Sequence, residues 1–148
     1  MTVVDRDLGY RDYLKRMRGA SAVFEVGILK PRSTMSHPSS RGLTLGQLAE
    51  IHEEGRGVPA RPFASGYWRA REPEIDRLTL RMARSIHNGT PPKTAHTVLG
   101  RALVAGMRGH MAMVGPPLSA STVRAKGSGR RLYETGALWR AIDYKVTR

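Results

Sequence analysis

The chain has 148 residues, of which 40% are apolar, and its 25 Lys and Arg outnumber its 12 Asp and Glu, for a formal charge of +13. This length supports one hydrophobic core, so we expect a single domain over residues 1–148. No cysteine is present, which excludes disulfide bonds and thiolate chemistry. The excess positive charge fits nucleic acid, an anionic membrane surface or an acidic protein, without choosing among them. Residues 1–7 carry charges where a signal peptide needs an apolar core, and no apolar run approaches about 18 residues, so we expect no membrane segment and synthesis in a cytoplasm.

The first third of the chain predicts a short helix followed by a strand. Aromatic and apolar residues recur at helical spacing over residues 8–18, and Gly19 is a typical helix stop. Residues 22–29 are rich in β-branched and aromatic side chains, which favours a strand, with Gly27 marking a bulge or a close contact. The Pro, Ser, Arg and His residues that follow predict a mobile loop near 30–43.

A second helix and a rigid turn follow this loop. Thr44 lies three residues before Gln47, a capping-box pattern that predicts a helix from this point to Gly55. Pro59 and Pro62 then fix their own backbone angles and favour extended geometry in the residues before them. The segment between the helix and Phe63 is therefore predicted to be stiff and suited to docking.

Two long helices are predicted in the middle of the chain. The first spans residues 65–88, with Pro73 dividing an initial turn or two from the main helix. The second runs from Lys93 to about Met113 and carries small residues that would let another element approach closely. These small residues are Ala102, Gly106 and Gly109. The short Pro-rich connection between the helices predicts an antiparallel hairpin.

The C-terminal part predicts an extended basic arm near 116–131, a short helix starting near Thr135 and a final strand over residues 141–146. We expect that strand to pair antiparallel with residues 22–29. The arm can bind phosphate backbones, and it can equally be a solvated loop or a segment ordered by a neighbouring subunit. The residues of the arm that would face DNA are Arg124, Lys126, Arg130 and Arg131.

No constellation of catalytic residues is found in the sequence. None of the five histidines has a second ligand at the spacing of a zinc helix, and no nucleophile elbow or phosphate-binding glycine loop is present. We therefore expect no catalytic, cofactor-binding or metal-binding residues, and an enzyme is a remote alternative. Glu53 and Glu54 are adjacent, so their side chains point in different directions, and we expect one of them to pair with a nearby arginine. Tyr67 and Trp68 are interpreted as core or interface anchors, with a ligand cage as the alternative.

Four segments in fixed order carry a resemblance to a known family: residues 24–29, 48–55, 58–63 and 132–142. Together they resemble the neck or tail-completion proteins of tailed bacteriophages, the virion-morphogenesis and minor-tail-protein-Z-like family. The most specific parts are the His-Glu-x-Gly to Pro-Ala-Arg-Pro-Phe block and the Thr-Gly-x-Leu block. Glu54 departs from the family, which usually has an aromatic residue there.

The resemblance implies an α+β fold, with a small antiparallel sheet packed against two long helices and with extended loops. It also implies a structural, non-enzymatic role in the virion, as a ring, with six copies expected, between the head connector or head-closure proteins and the tail terminator or tube. Contact with genome DNA would be nonspecific, and a basic nonspecific nucleic-acid-binding protein is the alternative function. The matching structural and interface residues are Glu53, Gly55, Pro59, Arg61, Pro62 and Phe63 in the first block, and Lys126, Thr135, Gly136 and Leu138 in the second. In the first block we expect Arg61 to anchor the turn through a carboxylate, with Glu53 as the first candidate, above a buried Phe63.

Overall fold

The structure is a computed structural model that describes residues 9–38, 42–127 and 136–147. Its architecture is α+β, as predicted, with a two-stranded antiparallel sheet and two long helices. The elements in chain order are α1 (Tyr10–Arg18), β1 (Val23–Ile28), a 3-10 turn (Arg32–Thr34), α2 (Leu45–Glu54), α3 (Phe63–His87), α4 (Pro92–Met113), α5 (Ala120–Lys126), α6 (Ala137–Ala141) and β2 (Ile142–Thr147).

The helices α3 and α4 form the predicted hairpin. Its short connection, residues 88–91, joins the end of α3 to the start of α4, and Tyr67 near the start of α3 lies against His110 near the end of α4. The predicted division of α3 at Pro73 is wrong, because the helix continues through it. Proline removes one intrahelical donor, and the carbonyl that loses it belongs to Arg69, an exposed residue whose carbonyl can be hydrated. The proline ring also crowds that carbonyl, at a cost of about 3 kcal/mol or more. The helix remains continuous because it packs on the core on both sides of Pro73, through Phe63 and Tyr67 before it and Ile75 after it.

Glycines on α4 allow close approach on two sides of this helix. A Cβ atom at Gly106 would overlap the Tyr67 hydroxyl, so this position explains part of the close packing of α3 on α4. A Cβ atom at Gly100 would overlap the Tyr144 ring of β2, a contact that the sequence did not indicate. Around Gly109 no described atom lies within 4 Å of the corresponding position. Of the two glycines predicted to allow close approach, only Gly106 does so within the described residues.

The sheet packs on α4. Its strands pair antiparallel, as predicted, from Val23 opposite Thr147 to Ile28 opposite Ile142. The pairing is unbroken at Gly27, so the predicted bulge is wrong, and no described atom lies close enough to make a tight contact with a Cβ there. Gly27 has a φ of 154°, a backbone conformation that L side chains rarely adopt, and this explains the glycine.

The loop near 30–43 contains more regular structure than its composition predicts. It includes the 3-10 turn, and Ser36 bridges to Thr44 just before α2. The predicted capping box is present, since Thr44 Oγ1 accepts from the Gln47 amide and Gln47 Oε1 accepts from the Thr44 amide. Positions 39–41 of the loop lie outside the described residues.

The predicted extended arm is in part wrong, because residues 120–126 form α5. The reason is a local cap: Ser119 Oγ accepts from the Thr122 amide at 3.2 Å and so satisfies one of the free donors of the first turn. Gly127 ends this helix in the left-handed conformation. The rest of the arm, residues 128–131, lies outside the described residues.

Candidate interaction surfaces

The turn between α2 and α3 is built around a buried arginine. Arg61 is only 7% exposed, its amide donates to the His52 carbonyl at 2.7 Å, and its side-chain Nε donates to the Pro116 carbonyl at 3.3 Å. The prediction that Arg61 anchors the turn through Glu53 is therefore wrong about the partner. The anchor lies in the segment after α4, which is more than fifty positions away in the chain. A carbonyl partner of this kind leaves no trace in the sequence.

Glu53 caps α3 instead. Its carboxylate oxygens accept from the amides of Ala64 at 3.0 Å and Ser65 at 2.8 Å. These amides belong to the first turn of α3, where donors have no intrahelical partner and the helix dipole favours negative charge. The last turn of α2 thus fixes the start of α3, which a pattern search within one helix does not find.

The other predicted residues of the first block shape this turn. Gly55 ends α2 with a φ of 77°, and a Cβ there would lie 2.9 Å from both the Cβ and the amide nitrogen of Ala60. Only glycine fits this position without strain. Pro59 is exposed, whereas Pro62 is half-buried and directly precedes α3. Phe63 is 3% exposed and belongs to the hydrophobic core, as expected.

Glu54 faces solvent and pairs with arginine, as the adjacent carboxylates predicted for one of the two. Arg56 contacts Glu54 at 2.6 Å and Glu50 at 3.0 Å, and all three side chains are about half exposed or more. Solvent-exposed pairs of this kind contribute at most about 1 kcal/mol. Glu54, the residue that departs from the pattern of the resemblance, is therefore part of a surface ion pair.

The second block joins the same core as the first. Leu138 on α6 is 4% exposed and belongs to one buried cluster with Phe63, and Gly136 precedes α6 with a φ of 69°. Thr135 lies outside the described residues. Lys126 is the last residue of α5, and its side chain also lies outside what the structure describes. The two blocks are thus brought together by packing, although more than seventy positions separate them.

Of the four residues expected to face DNA, the structure describes the side chain of Arg124 alone. It is exposed on α5. Arg130 and Arg131 lie outside the described residues, as does the Lys126 side chain. The arm therefore offers one described cation to a partner.

The chain also contains a long basic stretch without acidic residues, which the sequence analysis did not identify. Between Asp76 and Glu134 there is no Asp or Glu, so the second half of α3, all of α4 and all of α5 carry positive charge alone. The distribution of acidic residues along the chain would have revealed it. The cations of this stretch are Arg77, Arg81, Arg84, Lys93, Arg101, Arg108, Arg124, Lys126, Arg130 and Arg131.

Two arginines converge on the corner between α6 and β2. Arg108 donates from Nε to the Trp139 carbonyl at 3.0 Å and from one terminal nitrogen to the Ile142 carbonyl at 2.9 Å, and its guanidinium lies 4.5 Å from the centre of the Trp139 ring. Arg32, from the 3-10 turn, donates to the Arg140 carbonyl at 2.8 Å. Cations stabilise the carbonyl end of a helix. This corner is therefore held from α4 and from the 3-10 turn.

Two ionisable groups at the α3–α4 contact, Tyr67 and His110, have shifted pKa values. Burial lowers the pKa of His110, and the nearby Arg71 guanidinium lowers it further. Burial also raises the pKa of Tyr67, with Glu74 adding to the effect. Both pKa shifts mean that the charged form is disfavoured, as expected for groups that are partly buried away from water. Tyr67 is 2% exposed and serves as a core anchor, whereas Trp68 beside it is 36% exposed.

Within the described ranges, no three His, Asp or Glu side chains come together as a group that could hold a metal ion. No helix in the described part of the chain is long and apolar enough to cross a membrane.

No protein-family model, curated protein or solved structure matches the chain.

Proposed function

We propose that the chain is a structural, non-enzymatic virion protein of a phage neck, which forms a ring between the head connector and the tail. The observation that carries this proposal is the meeting of the two family-like blocks in one core. Phe63 from the first block and Leu138 from the second share a buried cluster, and Arg61 ties the turn to Pro116. Within the described part of the chain, residues from both blocks thus share one core, as expected if they maintain a common framework.

The charge distribution supports the same proposal. A subunit that faces a DNA channel needs cations that tolerate any sequence, because phosphate contacts carry no base information. The exposed arginines of α3, such as Arg77, Arg81 and Arg84, lie in the stretch without acidic residues. These arginines provide a positively charged surface that can contact phosphates, and they do not belong to a motif that recognises bases.

Disruption of the gene tests this function. In a phage that encodes the chain, its loss should give DNA-filled heads and separate tails, seen by electron microscopy of the lysate. Complementation with the intact chain should restore joined particles. Complementation with Val98→Ala, a change at an uncharged side chain that is 65% exposed, should restore them equally well and is the control. Normal virions from the disrupted phage would rule out a role in joining.

A second candidate is a basic nonspecific nucleic-acid-binding protein, which the stretch without acidic residues favours. Such a protein should bind a long duplex tightly as an isolated monomer. The logarithm of its binding constant should fall with the logarithm of salt concentration, with a slope of about −0.9 per phosphate contact. Fluorescence anisotropy at several salt concentrations measures this slope. A double change of Arg81 and Arg84 to Ala should reduce the slope by about 1.8 if both arginines contact phosphates. Weak binding by the monomer, or a slope that the double change leaves unaltered, would count against this candidate.

A further inference from the structure

A cleft of about 360 Å³ lies between α4, the 3-10 turn and the start of β2. Three arginines line it, together with one carboxylate and an apolar wall. These residues are Arg32, Arg101, Arg108, Asp143, Val104 and Tyr144. Because three guanidinium groups face one carboxylate, the cleft has an excess of two positive charges.

The positive charge of Arg108 is held in place without being neutralised. Its hydrogen bonds go to the main-chain carbonyls of Trp139, Arg140 and Ile142, which are uncharged acceptors. The guanidinium is therefore fixed in orientation at the wall of the cleft. Binding to Arg108 therefore costs less conformational entropy, because this side chain is already ordered before a ligand arrives.

Arg101 and Arg32 differ in how far their charge is compensated. Arg32 approaches Asp143 at 3.6 Å, and both side chains are close to half exposed. Arg101 lies about two turns before Arg108 on α4, is exposed, and has no ion-pair partner within 4 Å among the described residues. The α4 side of the cleft is thus the less compensated side.

We propose that this cleft binds a carboxylate-bearing segment of an acidic partner protein, with Arg101 and Arg108 contacting the carboxylate. Arg101 can donate the two parallel hydrogen bonds that match a planar carboxylate. Arg108, whose Nε and one terminal nitrogen already donate to main-chain carbonyls, offers its other terminal nitrogen. The apolar wall formed by Val104 and the Tyr144 ring suits the methylene groups of a glutamate or a neighbouring apolar side chain. This proposal goes beyond the neck assignment and does not depend on it.

Two features favour a carboxylate over a nucleic-acid backbone. The volume is near the lower end of the range for small-molecule sites, about 300 to 1,000 Å³, so it admits a side chain and not a duplex. Asp143 also lies inside the cleft. Its charge would repel the closely spaced phosphates of a backbone, whereas a single carboxylate can bind on the Arg101 side.

The test uses the full chain and a fluorescein-labelled peptide of alternating glutamate and leucine, measured by anisotropy at low salt. A peptide of the same length with glutamine in place of glutamate is the neutral probe. Arg101→Gln should weaken binding of the glutamate peptide about fivefold, because an exposed ion pair contributes up to about 1 kcal/mol. Arg84→Gln, which makes the same charge change on the exposed surface of α3, should change binding less than about twofold.

A second readout locates the site. In amide chemical-shift mapping, the glutamate peptide should shift the signals of Val104, Ala105 and Tyr144 in the intact chain. Absence of binding, or equal losses in Arg101→Gln and Arg84→Gln, would overturn the proposal, because both outcomes indicate no specific site. Stronger competition by oligothymidylate than by unlabelled glutamate peptide at matched charge would also overturn it, in favour of a phosphate site.

Discussion

Arg61 illustrates how a single charged side chain can be buried without a carboxylate. Its guanidinium donates to the Pro116 carbonyl, and its amide to the His52 carbonyl, so the residue joins the turn to both the end of α2 and the segment after α4. The prolines around Arg61 predicted a stiff turn suited to docking, and the anchoring role of Arg61 was expected from the family resemblance. The partner could not be predicted, because any of the chain's main-chain carbonyls can accept from arginine.

The first prediction concerns this residue. Arg61→Ala should lower the free energy of unfolding by about 1 to 3 kcal/mol, since a charge-assisted hydrogen bond is lost and the Pro116 carbonyl loses its donor. For a chain of this length that corresponds to a fall in melting temperature of about 2–4 °C per kcal/mol. Thermal denaturation followed by circular dichroism measures this fall.

Arg81→Ala, on the exposed surface of α3, is the control, and its free energy of unfolding should stay within about 0.5 kcal/mol of the intact chain. An unaltered melting curve for Arg61→Ala would show that the side chain is not an anchor.

The second prediction concerns His110 and pH. Burial lowers the pKa of His110 in the folded chain, whereas the unfolded chain has the ordinary histidine value of about 6.5. Above that value both states are neutral at this position. As the pH falls below it, the unfolded state takes up the proton more readily, so His110 reduces stability progressively until the folded-state pKa is passed.

His110→Gln should therefore make the melting temperature less sensitive to a change from pH 7.5 to pH 5. The comparison of variant and intact chain isolates this histidine from the other four. If both proteins lose the same stability over this interval, His110 is not the group responsible.

At the level of the helices and strands, local patterns predicted most of the fold. The helix cap at Thr44, the stop at Gly55 and the two strands themselves are signalled by neighbouring residues. At Pro73 the local helix-breaking signal was overridden, and in α5 the local helix-forming signal was too weak to be recognised. The contact of Gly100 with Tyr144 and the capping of α3 by Glu53 join separate elements. Such contacts depend on how the elements pack and have no signature within either segment.

The third prediction tests the contact between the long helices with two matched glycines on α4. Gly106→Ala should destabilise the chain by about 1 to 3 kcal/mol, because the added methyl group overlaps the Tyr67 hydroxyl. Gly109→Ala is the control. No described atom lies within 4 Å of its new methyl group, so the gain in helix propensity should stabilise the chain by up to about 1 kcal/mol. Urea denaturation measures both, and equal effects of the same sign would show that α3 does not approach α4 closely at Gly106.

At the level of the whole molecule, the acidic residues are concentrated in the part of the chain that ends at Asp76. The second half of the helix hairpin and α5 are free of them. Such segregation favours partners that present negative charge to one part of the surface, whether a DNA backbone or an acidic protein. The neck proposal accommodates both, because a ring between head and tail contacts proteins above and below while DNA passes through it.

The position of the protein in an assembled particle tests the central proposal most directly. A hexahistidine tag placed after Arg148 follows the exposed end of β2, and nanogold bound to it can be located by electron microscopy of virions that carry the tagged chain. If the chain is a neck protein, the label lies at the junction between head and tail. Label on the capsid shell, label along the tail, or intact virions that contain none of the tagged protein would contradict it.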